Sequence, residues 1–425
     1  MQRPDQGLAL PAESDVVVVG TGAAGLFAAT WAARGQVAAG RMASVVGLDS
    51  ARKPGAKILV SGGGRCNITH WQVTDADFAG STAPAIRKVL GRFPVERTVA
   101  FFAAAGVDFY READTGKLFP TTDSARTVLE ALLREANAAG ASLIHPAGVT
   151  SLTRDGNRIR IESSAGEVRA RRVILCTGGQ SLPKSGSDGS GWALARSLGH
   201  SLSAPIVPAL VPLVLPGDHW IRELTGLALP CAFTLLSGKG KAVAGSRGST
   251  LCTHTGLSGP ATLDISRHWL VSRSTDPDAL LLIDWLPGQS ADTLEQALLQ
   301  GGGGGALSVL RRSLSERLAR HLCAAAAAPT AGDLPRDARR RLVAAVKAMP
   351  LPIAGDRGFT VAEATAGGVP LAEVRLETME SRICPGLHLA GEVLDVDGRI
   401  GGFNFQWAWA SGFVAGTAAG GEEGR

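Results

Sequence analysis

The residues of this chain best placed to do chemistry sit on three glycine-bearing turns. The first, Gly20-Thr21-Gly22-Ala23-Ala24-Gly25, follows the valine run Val16–Val19 and leads into a helical pattern from Leu26 to Arg34. A buried strand, a G-x-G-x-x-G turn and a helix in that order form a dinucleotide-binding unit. Gly20 permits the tight turn, Gly22 lets the backbone approach a pyrophosphate, and Gly25 lets helix and strand pack closely. Ala23 and Ala24 lie at the helix start, where free N–H groups and the dipole favour phosphate. The second turn closes the stretch Lys57-Ile58-Leu59-Val60-Ser61-Gly62-Gly63-Gly64-Arg65-Cys66-Asn67. Its three successive glycines make a backbone cradle for a planar or anionic ligand, with polar neighbours on both sides. The third, Gly401-Gly402-Phe403-Asn404, precedes a final helix from Trp407 to Ala418 and again supplies an anion-favouring N-terminus.

Single residues add detail. Asp49 closes a second apolar strand, Ala43 to Leu48, roughly twenty residues beyond the last glycine, where an acidic side chain accepts from an adenosine ribose and repels a 2′-phosphate. Cys176-Thr177-Gly178-Gly179 ends another buried strand, and its backbone can meet a cofactor. Cys66 has no resolving cysteine nearby in sequence, which favours packing over redox work. His254, in Thr253-His254-Thr255, is open to two readings, a proton donor or a structural histidine. Arg65, Asn67 and Asn404 are candidate orienting donors. The turn Gly186-x-x-Gly189-x-Gly191 has the wrong glycine order and no strand before it, so a resident nicotinamide in its own domain is not expected.

The elements that must position these residues read as α/β. The chain has 425 residues, 54 glycines, 5% aromatics and one tyrosine, Tyr110. Its charge of +5 is spread out, and the densest basic cluster, Arg339-Arg340-Arg341, reads as a solvated helix face, which argues against a nucleic-acid partner. Six cysteines lie far apart with no C-x-x-C, so neither a disulfide framework nor a metal site is expected, and a reducing cytoplasm is the natural home. No segment reads as a secretion signal or a membrane span. Residues 142–144 form a third strand, and a β-meander runs from Val149 to Leu175. Between 205 and 354 the character changes: Pro-punctuated short strands to about 255, then amphipathic helices, joined by the Gly301–Gly305 and Ala324–Ala328 runs. The expected organisation is a flexible extension 1–14, a discontinuous cofactor domain 15–204 plus 355–418, and an inserted substrate-side domain 205–354.

The order of these motifs, with Leu118-Phe119-Pro120, Thr253-His-Thr-Gly-Leu-Ser-Gly-Pro260, Thr378-Met-Glu-Ser381 and Gly391-Glu-Val-Leu-Asp-Val-Asp-Gly398, resembles the YhiN/BaiN-type bacterial flavoproteins over nearly the whole chain. That resemblance implies an FAD-binding Rossmann-like (two-dinucleotide-binding) domain interrupted by a β-barrel-like and a helical part. It implies non-covalent FAD held at Gly20, Gly22, Ala23, Ala24 and Gly25 by its pyrophosphate and at Asp49 by its ribose. Lys57, Ser61, Gly62, Gly63, Gly64, Arg65, Cys66 and Asn67 would lie along the ribitol and ring. Val149 would meet the adenine, Thr177 and Gly178 would close over the cofactor, Gly391 and Glu392 would hold the ribitol and phosphate region, and Gly401, Gly402, Phe403 and Asn404 would reach the isoalloxazine. Arg65, Asn404 and His254 are the candidates for a catalytic part. Asp49 stands where such proteins more often carry Glu. The expected activity is hydride transfer between a small organic substrate and flavin N5, with NAD(P)H visiting transiently or oxygen as partner. An RNA-modifying flavoprotein and a flavin-binding sensor remain alternatives.

Overall fold

The computed structural model describes residues 9–301 and 305–421. Residues 1–8 of the expected N-terminal extension and 302–304 of the glycine run lie outside them. The chain divides into two units, 1–208 with 363–425, and 209–362.

In the first unit, strand β1 (Glu13–Val19) lies between β2 (Val45–Leu48) and the Gly166–Leu175 strand, all parallel. The parallel set continues to Ser142–Ile144 beyond β2 and to Leu387–Leu389 on the other side. A strand so placed is covered on both faces, which is why Val16–Val19 can be an unbroken β-branched run and why all four are buried. The Ser142–Ile144 strand, at the edge of this set, is only half-buried. Register decides where the chemistry can be. Val19 pairs with both Leu48 and Leu175, Leu48 with Ile144, and Leu175 with Leu389. Gly20, Asp49, Cys176 and Ala390 therefore leave the sheet at one level, at the carboxyl ends of the strands, where open α/β sheets bind ligands. Strands Val149–Asp155 and Arg158–Ser163 form the expected meander against the first half of Gly166–Leu175.

Helix α1 (Ala23–Ala38) packs against the terminal helix, Phe403–Gly420, through small residues. Gly412, Gly416 and Gly420 recur every four residues, so they share one helix face. A Cβ at each would strike the carbonyl oxygens of Ala24, Ala28 and Ala32, respectively. The two backbones touch because these positions lack side chains. Arg41 and Arg172 donate to the carbonyls of Gly420 and Ala419 at the negative end of the terminal helix. Trp407 and Trp409 are buried and tie this helix to other segments, their indole N–H groups donating to the Gly391 and Ile68 carbonyls.

The second unit holds a seven-stranded sheet with its own apolar core, including Phe233, Leu281, Ile283 and Trp285. Its long hairpin, Ala228–Leu236 with Ala242–Thr253, pairs on one side with Leu280–Asp284. The edge strands are Met349–Pro350 and Gly355–Asp356, separated only by Leu351 to Ala354. Helices follow at Pro260–Thr275, Ala291–Gln300, Gly305–Leu310, Glu316–Ala325 and Arg336–Lys347. Gly305–Leu310 and Glu316–Ala325 are separate helices, and Ser315 caps the second by accepting from the Leu318 N–H.

Candidate functional site

At the head of the sheet, the first glycine turn is built as its sequence requires. Gly20 has φ +88°, and a Cβ there would press on the Cys176 carbonyl. A Cβ on Gly25 would overlap the Gly20 carbonyl oxygen, whereas one on Gly22 would meet nothing within 4 Å. Gly22 thus faces open space at the N-terminus of α1, whose first turn has no side-chain cap. Asp49 sits beside this turn. Its Oδ2 accepts from the Thr21 N–H at 2.6 Å and the Thr21 hydroxyl at 2.9 Å, and Oδ1 accepts from the Ala51 N–H at 2.8 Å. The shorter acid therefore pins the glycine turn, and Oδ1 keeps one acceptor position for a ligand. Ala147, two residues before Val149, donates its N–H to the Asp49 carbonyl, so Val149 borders the same end of β2.

Sequence reasoning missed that Gly186–Gly191 belongs to this place. Gly189 N–H donates to the Gly179 carbonyl, a Cβ on Gly191 would overlap Thr177 Oγ1, and one on Gly178 would fall 2.7 Å from Ser187 Oγ. The stretch is a cover over Thr177–Gly178. Gly391 joins the group from the other side, with φ +76° and room for a Cβ blocked by Ala24.

In the second stretch, Lys57 lies on a short helix, Ala56–Val60. Gly62, Gly63 and Gly64 have φ of +55°, +67° and +87°, a left-handed run that only glycine sustains. Nothing lies within 4 Å of a Cβ on Gly63. Arg65 stacks on Phe119 at 4.0 Å from the ring centre and lies 3.7 Å from a Glu112 oxygen. Ser61 donates to the Ile58 carbonyl. Cys66 is fully buried, and burial pushes its thiol up to about 12, so it carries no thiolate at neutral pH. Asn67 reaches the third turn: a Cβ on Gly402 would stand 2.8 Å from Asn67 Oδ1.

There the N-terminus of the terminal helix is uncapped by any side chain, with Gly402 at φ +92°. Phe403 stacks on His70 at 4.9 Å. The Asn404 amide is engaged by the chain itself. Its Oδ1 accepts from the Gly398 N–H and its Nδ2 donates to the Gly398 carbonyl, so the amide clamps a loop and has no catalytic freedom. Glu392 is likewise engaged by protein. It pairs with Lys57 at 2.6 Å and accepts from Ser181 Oγ and the Thr365 N–H, while Lys57 also donates to Ser181. This network joins the head of α1 to the triple-glycine turn. His254 belongs to the 209–362 unit, on the turn after Ala242–Thr253, exposed, with its carbonyl accepting from Arg222.

One arrangement resembles a hydrolytic triad. Ser381 Oγ lies 2.8 Å from His200 Nε2, and His200 Nδ1 lies 2.7 Å from Glu373. Ser381 is fully buried and already accepts from the Ile383 and Cys384 N–H groups, so the trio braces a loop.

A model of the HI0933-like protein Rossmann domain matches residues 14–418. The chain belongs to this family. Among curated HI0933-like relatives, a 3-dehydro-bile acid delta(4,6)-reductase of Clostridium scindens is 34% identical over 95% of this chain and 98% of its own. Ribosomal RNA dihydrouridine synthases of Haemophilus influenzae and Escherichia coli are each 31% identical, over 94% of this chain and 97% and 96% of theirs. The protein is a flavin-dependent oxidoreductase of mixed α/β, Rossmann-like FAD-binding fold that moves hydride to or from FAD.

The residues present fit such a group. Space opens before Gly22 and Gly63, two long helices start without side-chain caps, and three buried polar atoms, Thr177 Oγ1, Ser187 Oγ and Asn67 Oδ1, have no hydrogen-bond partner. Buried polar atoms left unpaired are costly, which a ligand would relieve. Among the described residues no helix is long and apolar enough to cross a membrane.

Proposed function

We propose that this HI0933-like enzyme saturates a carbon–carbon double bond conjugated to a carbonyl, with electrons from NAD(P)H that visits the flavin transiently. The observation that carries this reading is the agreement between relatives with unlike substrates. A delta(4,6)-reductase of a 3-dehydro-bile acid and a dihydrouridine synthase both reduce a double bond beside a carbonyl. When bound, FAD supplies the hydride chemistry, and the protein supplies position and electrostatics.

In this reading Gly20, Gly22, Ala23, Ala24 and Gly25 take the pyrophosphate, Asp49 Oδ1 the ribose, and Val149 the adenine. Thr177, Gly178 and Ser187 close over the adenosine end. Ser61 to Asn67 and Gly401 to Phe403 flank the ring, the helix start favouring negative charge that develops there. Lys57 and Glu392 position these two halves through their ion pair. The 209–362 unit, whose sheet we take to curl toward a barrel because its edge strands are so close in sequence, selects the substrate. Six unpaired cysteines favour a reducing cytoplasm.

Two observations favour a second substrate, uridine in RNA: the two synthases among the relatives, and half-exposed Trp71 lying 5.4 Å beneath the Arg111 guanidinium, a surface suited to base stacking. Anaerobic absorbance titration separates the readings. NADPH should bleach the flavin, and 2-cyclohexenone or a 3-oxo-Δ4 steroid should restore the colour. Restoration only by unmodified ribosomal RNA selects the second reading, and bleaching only by an amine or alcohol removes both.

A further inference from the structure

We infer that Glu363 is the group that exchanges the proton accompanying hydride transfer, resting on the reading above that the substrate's double bond is saturated. Hydride and proton must both reach the two carbons of such a bond. The one acidic thiol near the triple-glycine turn is unsuitable, since Cys66 is sealed in the interior.

Glu363 differs from Glu392, Asp49 and Glu112. Glu392 is bound by Lys57, Ser181 and the Thr365 N–H, Asp49 by Thr21 and Ala51, and Glu112 lies against Arg65. Glu363 keeps access to solvent while protein packs around its carboxylate, which accepts no hydrogen bond and makes no ion pair among the described residues. Its backbone is fixed nonetheless. The Glu363 carbonyl accepts from Ser181 Oγ, and two residues on, Thr365 Oγ1 accepts from the Gln180 and Ser181 N–H groups while its own N–H binds Glu392. A rigid stalk thus presents a free acid.

Two cations face it, Lys57 from the Ala56–Val60 helix and Lys117 from the Lys117–Pro120 strand. The latter strand borders the triple-glycine turn, since Phe119 lies 3.4 Å from a Cβ on Gly62. Lys57 is already paired with Glu392, whereas Lys117 makes no salt bridge among the described residues. Crowding by protein raises the Glu363 pKa, and Lys117 and then Lys57 oppose the rise. A raised pKa favours the protonated form that a general acid needs.

The step balances as follows. Hydride adds to the β-carbon, the electrons of the double bond move toward the carbonyl, and Glu363 Oε–H protonates the α-carbon. The glutamate is left as a carboxylate facing Lys117, and water restores its proton. In the oxidative direction the same carboxylate removes the proton.

The first test needs no substrate. In full-length protein carrying [δ-13C]glutamate, the Glu363 resonance is the one missing from Glu363→Gln. Its midpoint should lie above the ordinary glutamate range, and Lys117→Met should move it further up; an ordinary or lower midpoint overturns the inference. The second test mixes NADPH-reduced enzyme with 2-cyclohexenone. Glu363→Gln should slow reoxidation about 100-fold or more, with reduction by NADPH and FAD affinity unchanged, and Glu363→Asp should recover part of the rate. Equal slowing of both half-reactions, or of neither, overturns the inference. If wild-type protein ignores enones but a metabolite bleaches it, the double-bond reading fails, and the same Glu363→Gln comparison on that bleaching still decides the proton's carrier.

Discussion

Replacing Gly22 with alanine separates the demands of the cofactor from those of the fold. Gly22 has φ −75° and ψ −159°, backbone that any residue adopts, and a Cβ there meets no atom within 4 Å. Losing glycine at this helix N-cap costs about 1 kcal/mol. The reduced freedom of the unfolded chain offsets about 0.4–1 kcal/mol of that. Stability without FAD should therefore stay within about 1 kcal/mol, a Tm change of roughly 2–4 °C at most. The space before Gly22 is where the pyrophosphate must lie. A methyl group intruding there acts like overpacking, about 1–3 kcal/mol, or roughly 5- to 150-fold in Kd. The contrasting variant is Gly25→Ala, whose Cβ overlaps the Gly20 carbonyl and stands 3.3 Å from Cys176 Cβ. It should lower the Tm of the FAD-free protein as well, because α1 must lift from β1. Thermal unfolding of the apo-proteins and fluorescence titration with FAD measure both quantities. Wild-type FAD affinity in Gly22→Ala would refute the placement, as would a Tm loss equal to that of Gly25→Ala.

Asp49→Ala should cost about 1–3 kcal/mol in urea unfolding of the FAD-free protein, since the buried Thr21 N–H loses its acceptor; unchanged stability would mean that the turn does not depend on this carboxylate. Iodoacetamide should leave native Cys66 unlabelled at pH 8, as its buried thiol requires, and mass spectrometry of the tryptic digest checks this. Stability should fall as pH drops from about 6.5 toward 4. Burial holds His388 neutral, with its pKa down to about 4 despite Glu380 nearby, and it does the same for His268 beside Arg267. Between those values the unfolded chain binds protons that the folded chain refuses, so unfolding gains as acid is added. His388→Phe should flatten the slope of urea midpoints across that window, and an unchanged slope would place the proton uptake elsewhere.

Much of the frame was readable because it rests on local rules. The valine run, the glycine order and the meander each obey a short-range constraint, and the left-handed run at Gly62–Gly64 explains why three glycines stand together there. The partners of side chains were harder to read. Asp49 was recognisable as an acid at the end of a strand, yet its bonds to Thr21 depend on how two strand ends align. Asn404 looked like a ligand donor because it stands beside two glycines, and only the fold shows Gly398 turning back to meet it. Gly186–Gly191 failed as a second dinucleotide turn, and its role as a cover arises from contact with Thr177, a relation no spacing rule encodes. Glu363 carries no motif at all. Its raised pKa comes from the protein packed around it, against the pull of Lys117 and Lys57, and all of these neighbours are set by the fold.

The glycine seam between α1 and the terminal helix has a consequence for biosynthesis. The two sides of the seam, Ala23–Ala38 and Phe403–Gly420, lie more than 360 residues apart in the chain, so the ribosome makes one long before the other. At about 5–20 residues per second, the wait between them is roughly 20–80 seconds. Throughout that interval the Ala24, Ala28 and Ala32 face of α1 is bare, and the turn at Gly401–Gly402 does not yet exist. The two uncapped helix starts that fit FAD are therefore present together only after the Phe403–Gly420 helix has been made.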